Sequence, residues 1–237
     1  MQMQFQIGNE RRTLAVSRPG HFFKQLSATA LKDFETLEHA ATYQQSAILF
    51  MERQVPHGVH ILLEGQVKLS ISSSEGKRLI LRIAKPGEIL GLTSLLSGRA
   101  HEVTAEVLHT CRIAYVRRED FMHFLEKYPA AYQSVIQDVS LQYNEACEQL
   151  RTVGLAASVP ERLARLLLEW AETGQKTENG TRVKVALTHE EIGEFIGTSR
   201  ETVTRTLSDF KHKQLAALHG STLMIPNLMA LETYARI

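Results

Sequence analysis

Arg200, Glu201, Thr204 and Arg205 are the residues whose types and spacing best suit a chemical task. At 3.6 residues per turn they stand on one side of a helix, while Val203, Leu207 and Phe210 share the side to be buried. A guanidinium presents a planar fork of donors that matches the O6 and N7 acceptors of guanine, and a carboxylate accepts from cytosine N4. Laid in a DNA major groove, Arg200 and Arg205 would select guanines and Glu201 a cytosine. The plain alternative is a solvated helix face with a Glu201–Arg205 pair four residues apart, worth roughly 0.2–0.5 kcal/mol. The elements around the run bear on the choice.

Ser199 is placed to cap that helix, because its hydroxyl oxygen can accept from a free N–H of the first turn. Ahead of it, Thr188-His189-Glu190-Glu191 has the form of a capping box and opens a helix whose Ile192, Phe195 and Ile196 face inward. Gly197 ends that helix, and Gly193 leaves room for a close crossing. Two helices joined by a tight glycine turn make a helix-turn-helix. Its DNA-facing set is Thr188, His189, Ser199, Arg200, Glu201, Thr204 and Arg205. The segment from Leu215 to Ile225, turning at His219-Gly220, resembles a β-hairpin wing.

Upstream, the pattern from about Thr42 to Val116 is one of short half-buried strands. Val67, Leu69 and Ile71 alternate with Lys68, Ser70 and Ser72; Val103, Ala105 and Val107 alternate with Glu102, Thr104 and Glu106. Turns at Glu64-Gly65, Ser74-Glu75-Gly76-Lys77 and Pro86-Gly87-Glu88 separate the strands, which suggests an antiparallel barrel or jelly roll. A short helix from Ala28 to Leu37, capped by Ser27, would pack outside it. After Tyr128 the period changes. Tyr132, Ile136, Val139, Tyr143, Ala146, Leu150 and Val153 follow at alternating steps of four and three, the seam of a coiled coil between two copies of the chain. An amphipathic helix packed on its own domain is the other reading of that stripe. Gly154 is read as interrupting it, and Ser158-Val159-Pro160-Glu161 as starting a new helix with Leu163, Leu166, Leu167 and Trp170 on one face. The stretch from Gly174 to Gly180 reads as a loop before a strand with Val183, Val185 and Leu187. The expected fold class is α+β. Residues 20–118 form a β-roll, 119–154 a dimerisation helix, and 155–237 a winged helix-turn-helix.

With 237 residues, 43% hydrophobic and 22% charged, the chain has globular proportions and the length of two units. Its formal charge of +1 gives no global field for nucleic acid, so any DNA contact must be local. Cys111 and Cys147 stand outside any C-x-x-C pair, which fits a reducing cytoplasm and excludes a disulfide framework. Met1 to Glu10 lacks the order of an export signal, and no apolar run approaches a membrane span. His57, His60 and Glu64 superficially suggest the ligand spacing of a cupin-like metal enzyme. Residues three apart in a strand point to opposite faces, however, so the two histidines converge on a metal only across a bulge.

The run from Leu187 through Arg205 resembles the DNA-binding motif of the cAMP receptor protein/FNR (Crp-Fnr) family. The stretches His60–Val67 and Pro86–Gly91 are similar to that family's effector β-roll, and the seam helix to its dimerisation helix. The resemblance implies a dimeric regulator on a palindromic site. Arg200, Glu201 and Arg205 match the base-reading positions of the branch that reads TGTGA-like half-sites. It also implies an effector pocket around Gly91, Leu92, Arg99, His101, Glu102 and Cys147. Cyclic-nucleotide members carry a glutamate after the glycine matching Gly91, and an arginine-serine pair that grips the phosphate. Here Leu92 stands at the first position, and His101 and Glu102 at the pair. Leucine cannot accept a ribose hydroxyl and a carboxylate repels a phosphate, so an effector other than cAMP is expected. A β-roll serving only as a scaffold is the alternative. The iron–sulfur branch uses N-terminal cysteines, and none precedes Cys111. The expected partners are double-stranded DNA, a second copy of the chain, RNA polymerase and a small-molecule effector of unknown identity. No cofactor, metal, membrane contact or enzymatic activity is expected.

Overall fold

A computed structural model describes residues 19–155 and 158–235; Met1–Glu10, read above for an export signal, lies outside them. Two short helices come first, α1 (His21–Lys24) and α2 (Ala28–Leu37), and the Ser27 hydroxyl caps α2 by accepting from the Ala30 N–H, as the sequence implies. Eight strands build the roll: β1 (His39–Tyr43), β2 (Ile48–Phe50), β3 (Gly58–Glu64), β4 (Val67–Ser72), β5 (Arg78–Ala84), β6 (Ile89–Leu90), β7 (Thr104–Val107) and β8 (Cys111–Arg117). A short helix, α3 (Leu92–Ser97), lies between β6 and β7. All pairings are antiparallel, in two sheets ordered β1-β8-β3-β6 and β2-β7-β4-β5. The strands begin at His39 rather than Thr42 because β1 pairs with β8 from His39 opposite Tyr115 onward, whatever its polar composition. One core fills the roll with Phe50, Leu62, Leu69, Leu90 and Ile113. A second, with Phe22, Phe34, Phe121 and Phe124 in tilted and edge-on contact, ties α1, α2 and the next helix to the outside of the first sheet.

The alternation read from β4 and β7 holds only for the inward side. Val67, Leu69, Ala105 and Val107 are buried as expected, but so are Lys68, Ser70 and Glu106, which the pattern assigned to solvent. The outer face of this sheet is not solvated, because the first helix of the helix-turn-helix packs on it.

Tyr128 divides the segment expected to be one helix from 119 to 154. The residue before a proline is driven out of the helical region, and Tyr128 at φ −124, ψ 85 separates α4 (Arg118–Lys127) from α5 (Pro129–Leu155). Gly154 does not interrupt α5, which runs on to Leu155; a single glycine costs a helix only about 1 kcal/mol. α6 (Val159–Glu172) starts at the Ser158 cap, with Glu161 paired to Arg165. The expected loop from Gly174 contains a strand, β9 (Gln175–Thr177), paired with β10 (Gly180–Lys184); its polar residues carry no strand signal, and pairing alone makes it one. Then come α7 (His189–Ile196), α8 (Arg200–His212), the hairpin β11 (Ala217–His219) and β12 (Thr222–Ile225), and α9 (Leu228–Ala235), around a core with Leu163, Leu167, Ile192, Val203, Phe210 and Leu223. The hairpin turns at Gly220, φ 59, where the wing was read.

Candidate nucleic-acid interface and effector cavity

The capping box that opens α7 is complete: the Thr188 hydroxyl accepts from the Glu191 N–H and the Glu191 carboxylate from the Thr188 N–H. Gly197 ends the helix at φ +66, a left-handed conformation that glycine adopts without steric cost. A Cβ on Gly193 would stand 2.7 Å from the Thr198 carbonyl oxygen, so the crossing of α7 and α8 requires hydrogen at that position. Ser199 caps α8 by accepting from the Thr202 N–H. Val203, Leu207 and Phe210 are buried, which turns Arg200, Glu201, Thr204 and Arg205 outward. These four line one shallow concave surface together with Ser208, one turn beyond Thr204, a residue missed from the sequence although its spacing would have found it.

Local bonds fix this face. The Thr204 hydroxyl donates to the Arg200 carbonyl and lies 2.9 Å from His189 Nδ1, so it ties α8 to the start of α7. The Glu201 carboxylate accepts from its own N–H and from the Ser199 hydroxyl, which holds its pKa below the usual carboxylate range. Its bonds are at the helix start rather than the i,i+4 pair with Arg205 of the alternative reading.

The expected effector residues are brought together only in part. A cavity of about 250 Å³ lies between the roll and α5, with Gly91, Leu92, His101 and Glu102 on its wall. Arg99 is exposed beyond α3, and Cys147 is not part of the lining, where Ala146 stands instead. Leu92 is fully buried, in the phenylalanine-rich core outside the first sheet. His101, only 6% exposed, lies flat on Phe50 with centroids 4.0 Å apart and planes 16° apart. Burial, and then the charge of His57, lower its pKa. Arg82 was not foreseen: it lines the cavity and pairs with Glu88 and, at 3.4 Å, with Glu145. From α5 the wall receives Val139, Gln142, Tyr143 and Ala146.

The residues expected in the seam divide into two groups. Ile136, Tyr143 and Leu150 are 64%, 69% and 61% exposed, and Tyr132 is exposed too, so among the described residues nothing covers this apolar stripe. Val139, Ala146 and Val153 are half-buried against the chain itself. Val153 meets Gly197 so closely that a Cβ there would stand 2.9 Å from its Cγ1.

A charged cluster joins the roll to α7. Lys68 Nζ lies 2.9 Å from Glu191 and 3.1 Å from Glu106, and Arg78 lies 2.7 Å from the other Glu106 oxygen. Burial opposes the charge on Lys68, but the two carboxylates outweigh it and raise its pKa. For Glu191, burial is likewise outweighed by the Thr188 N–H and by Lys68, and its pKa is lowered. Nearby, Gln149 of α5 donates to the carbonyls of Ile80 in β5 and Phe195 in α7. Around His57, His60 and Glu64 no metal-binding geometry forms: among the described residues no group of His, Cys, Asp or Glu is arranged to hold an ion.

Two family models match the chain, a cyclic nucleotide-binding domain over residues 40–128 and a Crp-like helix-turn-helix domain over 161–234. The chain belongs to the Crp-Fnr family. Like its relatives it is a DNA-binding transcription regulator, not an enzyme. Those relatives include the nitrogen fixation regulation protein FixK of Bradyrhizobium diazoefficiens, 25% identical over 84% of each chain. Another is the CRP-like cAMP-activated global transcriptional regulator of Mycobacterium tuberculosis, 26% identical over 79% of this chain and 84% of that one. Among solved structures, FixK2 from Bradyrhizobium japonicum matches this Crp-Fnr regulator with a TM-score of 0.72 at 20% identity, over 83% of this chain and 96% of its own. The c-di-GMP responsive regulator CLP of Xanthomonas campestris gives 0.74 at 19%, over 85% and 100%. Both share its fold: antiparallel roll, long helix and winged helix-turn-helix. Among the described residues no helix is long and apolar enough to cross a membrane.

Proposed function

We propose that this Crp-Fnr regulator binds an inverted repeat of TGTGA-like half-sites as a homodimer joined along α5, and that a small molecule other than cAMP modulates it from the cavity beside that helix. The observation that carries base reading is the exposed surface of Arg200, Glu201, Thr204, Arg205 and Ser208 on a capped helix. Dimerisation is supported by the unpartnered stripe of Tyr132, Ile136, Tyr143 and Leu150. Two such helices carried by one dimer enter successive major grooves about one DNA turn apart, which makes the operator palindromic. Leu92 in the core and Glu102 on the cavity wall argue against cAMP, although a relative in Mycobacterium tuberculosis is named as cAMP-activated. RNA polymerase is the expected partner on DNA, and the cytoplasm the expected compartment.

Selection from a randomised operator pool, run on wild type and on Arg200→Ala, Glu201→Ala and Arg205→Ala, tests the reading. Each arginine variant should lose about 1–3 kcal/mol per affected half-site and relax preference at its own G·C pair. Glu201→Ala should loosen discrimination at one pair while strengthening non-specific binding, since it removes a negative charge facing phosphate. The same motif from all four proteins would show that these side chains do not read bases.

A further inference from the structure

We infer that the cavity beside α5 takes an uncharged molecule built round one or two aromatic rings, with a hydrogen-bonding group for His101, and that it excludes anions. The inference deepens the effector reading above and rests on it.

The charges around the cavity carry the exclusion. Arg82 is the cation on the wall, and its guanidinium is already neutralised by Glu88 and Glu145, with its side chain only 11% exposed. Glu102 stands on the wall, and the buried Asp138 lies within range of both Glu88 and Arg82. An entering phosphate or carboxylate would meet more negative than positive charge and would have to break the Arg82 pairs to gain a partner. A cation is served little better. Glu88 and Glu145 are engaged, and Glu102 is exposed, where water screens it.

The remaining wall suits a ring. Phe50, Leu81, Leu90 and Val103 supply apolar surface, and His101 lying flat on Phe50 gives a planar element beside them. Among the described residues the Nδ1 atom of His101 has no hydrogen-bond partner, and its edge of the ring lies against Gly91, so a ligand group pairs with it by displacing that contact. A buried polar atom without a partner is unfavourable, so a ligand group that pairs with it gains more than the same bond in water. Cavities of about 150 Å³ hold a single benzene ring, so about 250 Å³ admits a substituted ring or a bicycle. The ligand would also touch α5 at Val139, Gln142 and Ala146, one turn before Gln149 and two before Val153, which contact α7 and Gly197. Occupancy is thus felt by the helix that carries the unpartnered stripe and meets the DNA-binding unit.

Three probes with one ring and different charge test this on the full-length protein: benzamide, benzoate and benzylamine, with cAMP alongside. Titration calorimetry should give an affinity for benzamide at least tenfold above those for the other three. His101→Phe keeps the flat stacking and removes Nδ1, and should weaken benzamide by about tenfold. Thr93→Phe, on the exposed rim where the fold tolerates it, should block the cavity and abolish binding. Benzoate or cAMP binding as tightly as benzamide overturns the inference, as does the absence of binding by every probe. Operator affinity measured by anisotropy separates the two readings. Benzamide bound without any change in operator affinity supports the ligand class and refutes the effector role; an anion that binds and shifts operator affinity does the reverse.

Discussion

Burial turns the His60 ring into a brake on acid stability. The ring lies 5.7 Å from Phe50 and 5.0 Å from Tyr115, and desolvation, helped by His101, lowers its pKa from 6.5 to about 4. Because the folded value lies below the unfolded one, the unfolded chain binds the proton more readily. Stability from neutral His60 is therefore complete above pH 6.5 and is lost as pH falls from there through 4. The shift corresponds to on the order of 3 kcal/mol. Asp138 acts in the opposite sense: burial raises its pKa to about 6, so its ionised form is unfavourable and protonation below pH 6 favours the folded state. Replacing one group isolates its contribution. In His60→Phe, urea unfolding free energies between pH 7 and pH 4 should decline by about 2–3 kcal/mol less than in wild type. Parallel pH profiles for the two proteins would show that His60 is not held neutral.

At the scale of elements, α5 serves two faces at once. Val139 and Ala146 wall the cavity and Val153 seats the Gly197 turn, so of the seam positions Tyr132, Ile136, Tyr143 and Leu150 stay exposed for a partner, Tyr143 reaching the cavity wall as well. A charge placed at Val139 would disturb the chain's own core; Ile136 and Leu150 avoid that confusion. The double variant Ile136→Lys, Leu150→Lys should sediment as a folded monomer and bind operator DNA at least tenfold more weakly, because a lysine pair across the seam buries like charge in place of apolar surface. An unchanged dimer would remove α5 from the interface. The long helix was legible because its period is written in consecutive residues, though not which seam positions the chain's own fold would cover, and so were the caps at Ser27, Ser158, Thr188 and Ser199, each closed within three positions. The outward face of Arg200, Glu201, Thr204 and Arg205 followed from those caps. Other features are set by partners far along the chain. Arg82 joins the cavity through β5, β9 exists by pairing with β10, and the stacking of His101 on Phe50 spans four intervening strands. No local pattern contains them.

Taken as one molecule, the roll and the DNA-binding unit meet across groups that a solvent-facing reading of β4 and β7 assigned to water. Lys68 stands next to Leu69 on the cavity wall, Ile80 next to Leu81, and Gln149 one turn after Ala146, so the strands and helix that line the cavity also hold α7. Removing one partner of a buried charge cluster typically costs about 3–5 kcal/mol if the other charges stay buried. Here they need not stay, because α7 can move away and hydrate Glu191, so the loss is limited to what the contact between the units contributes. Lys68→Met should therefore undock the two units rather than unfold either. Hydrogen exchange should quicken in β4, β5 and α7 while the inner cores keep their protection, and calorimetric unfolding should split from one transition into two. Glu191→Gln keeps the capping box, since glutamine also serves at that position, and removes the charge. In a double-mutant cycle, Lys68→Met and Glu191→Gln together should cost less than the sum of the two alone, by more than about 1 kcal/mol. Additive losses, with exchange in α7 unchanged, would mean that Lys68 and Glu191 do not hold the units together, and that apolar packing alone sets their arrangement.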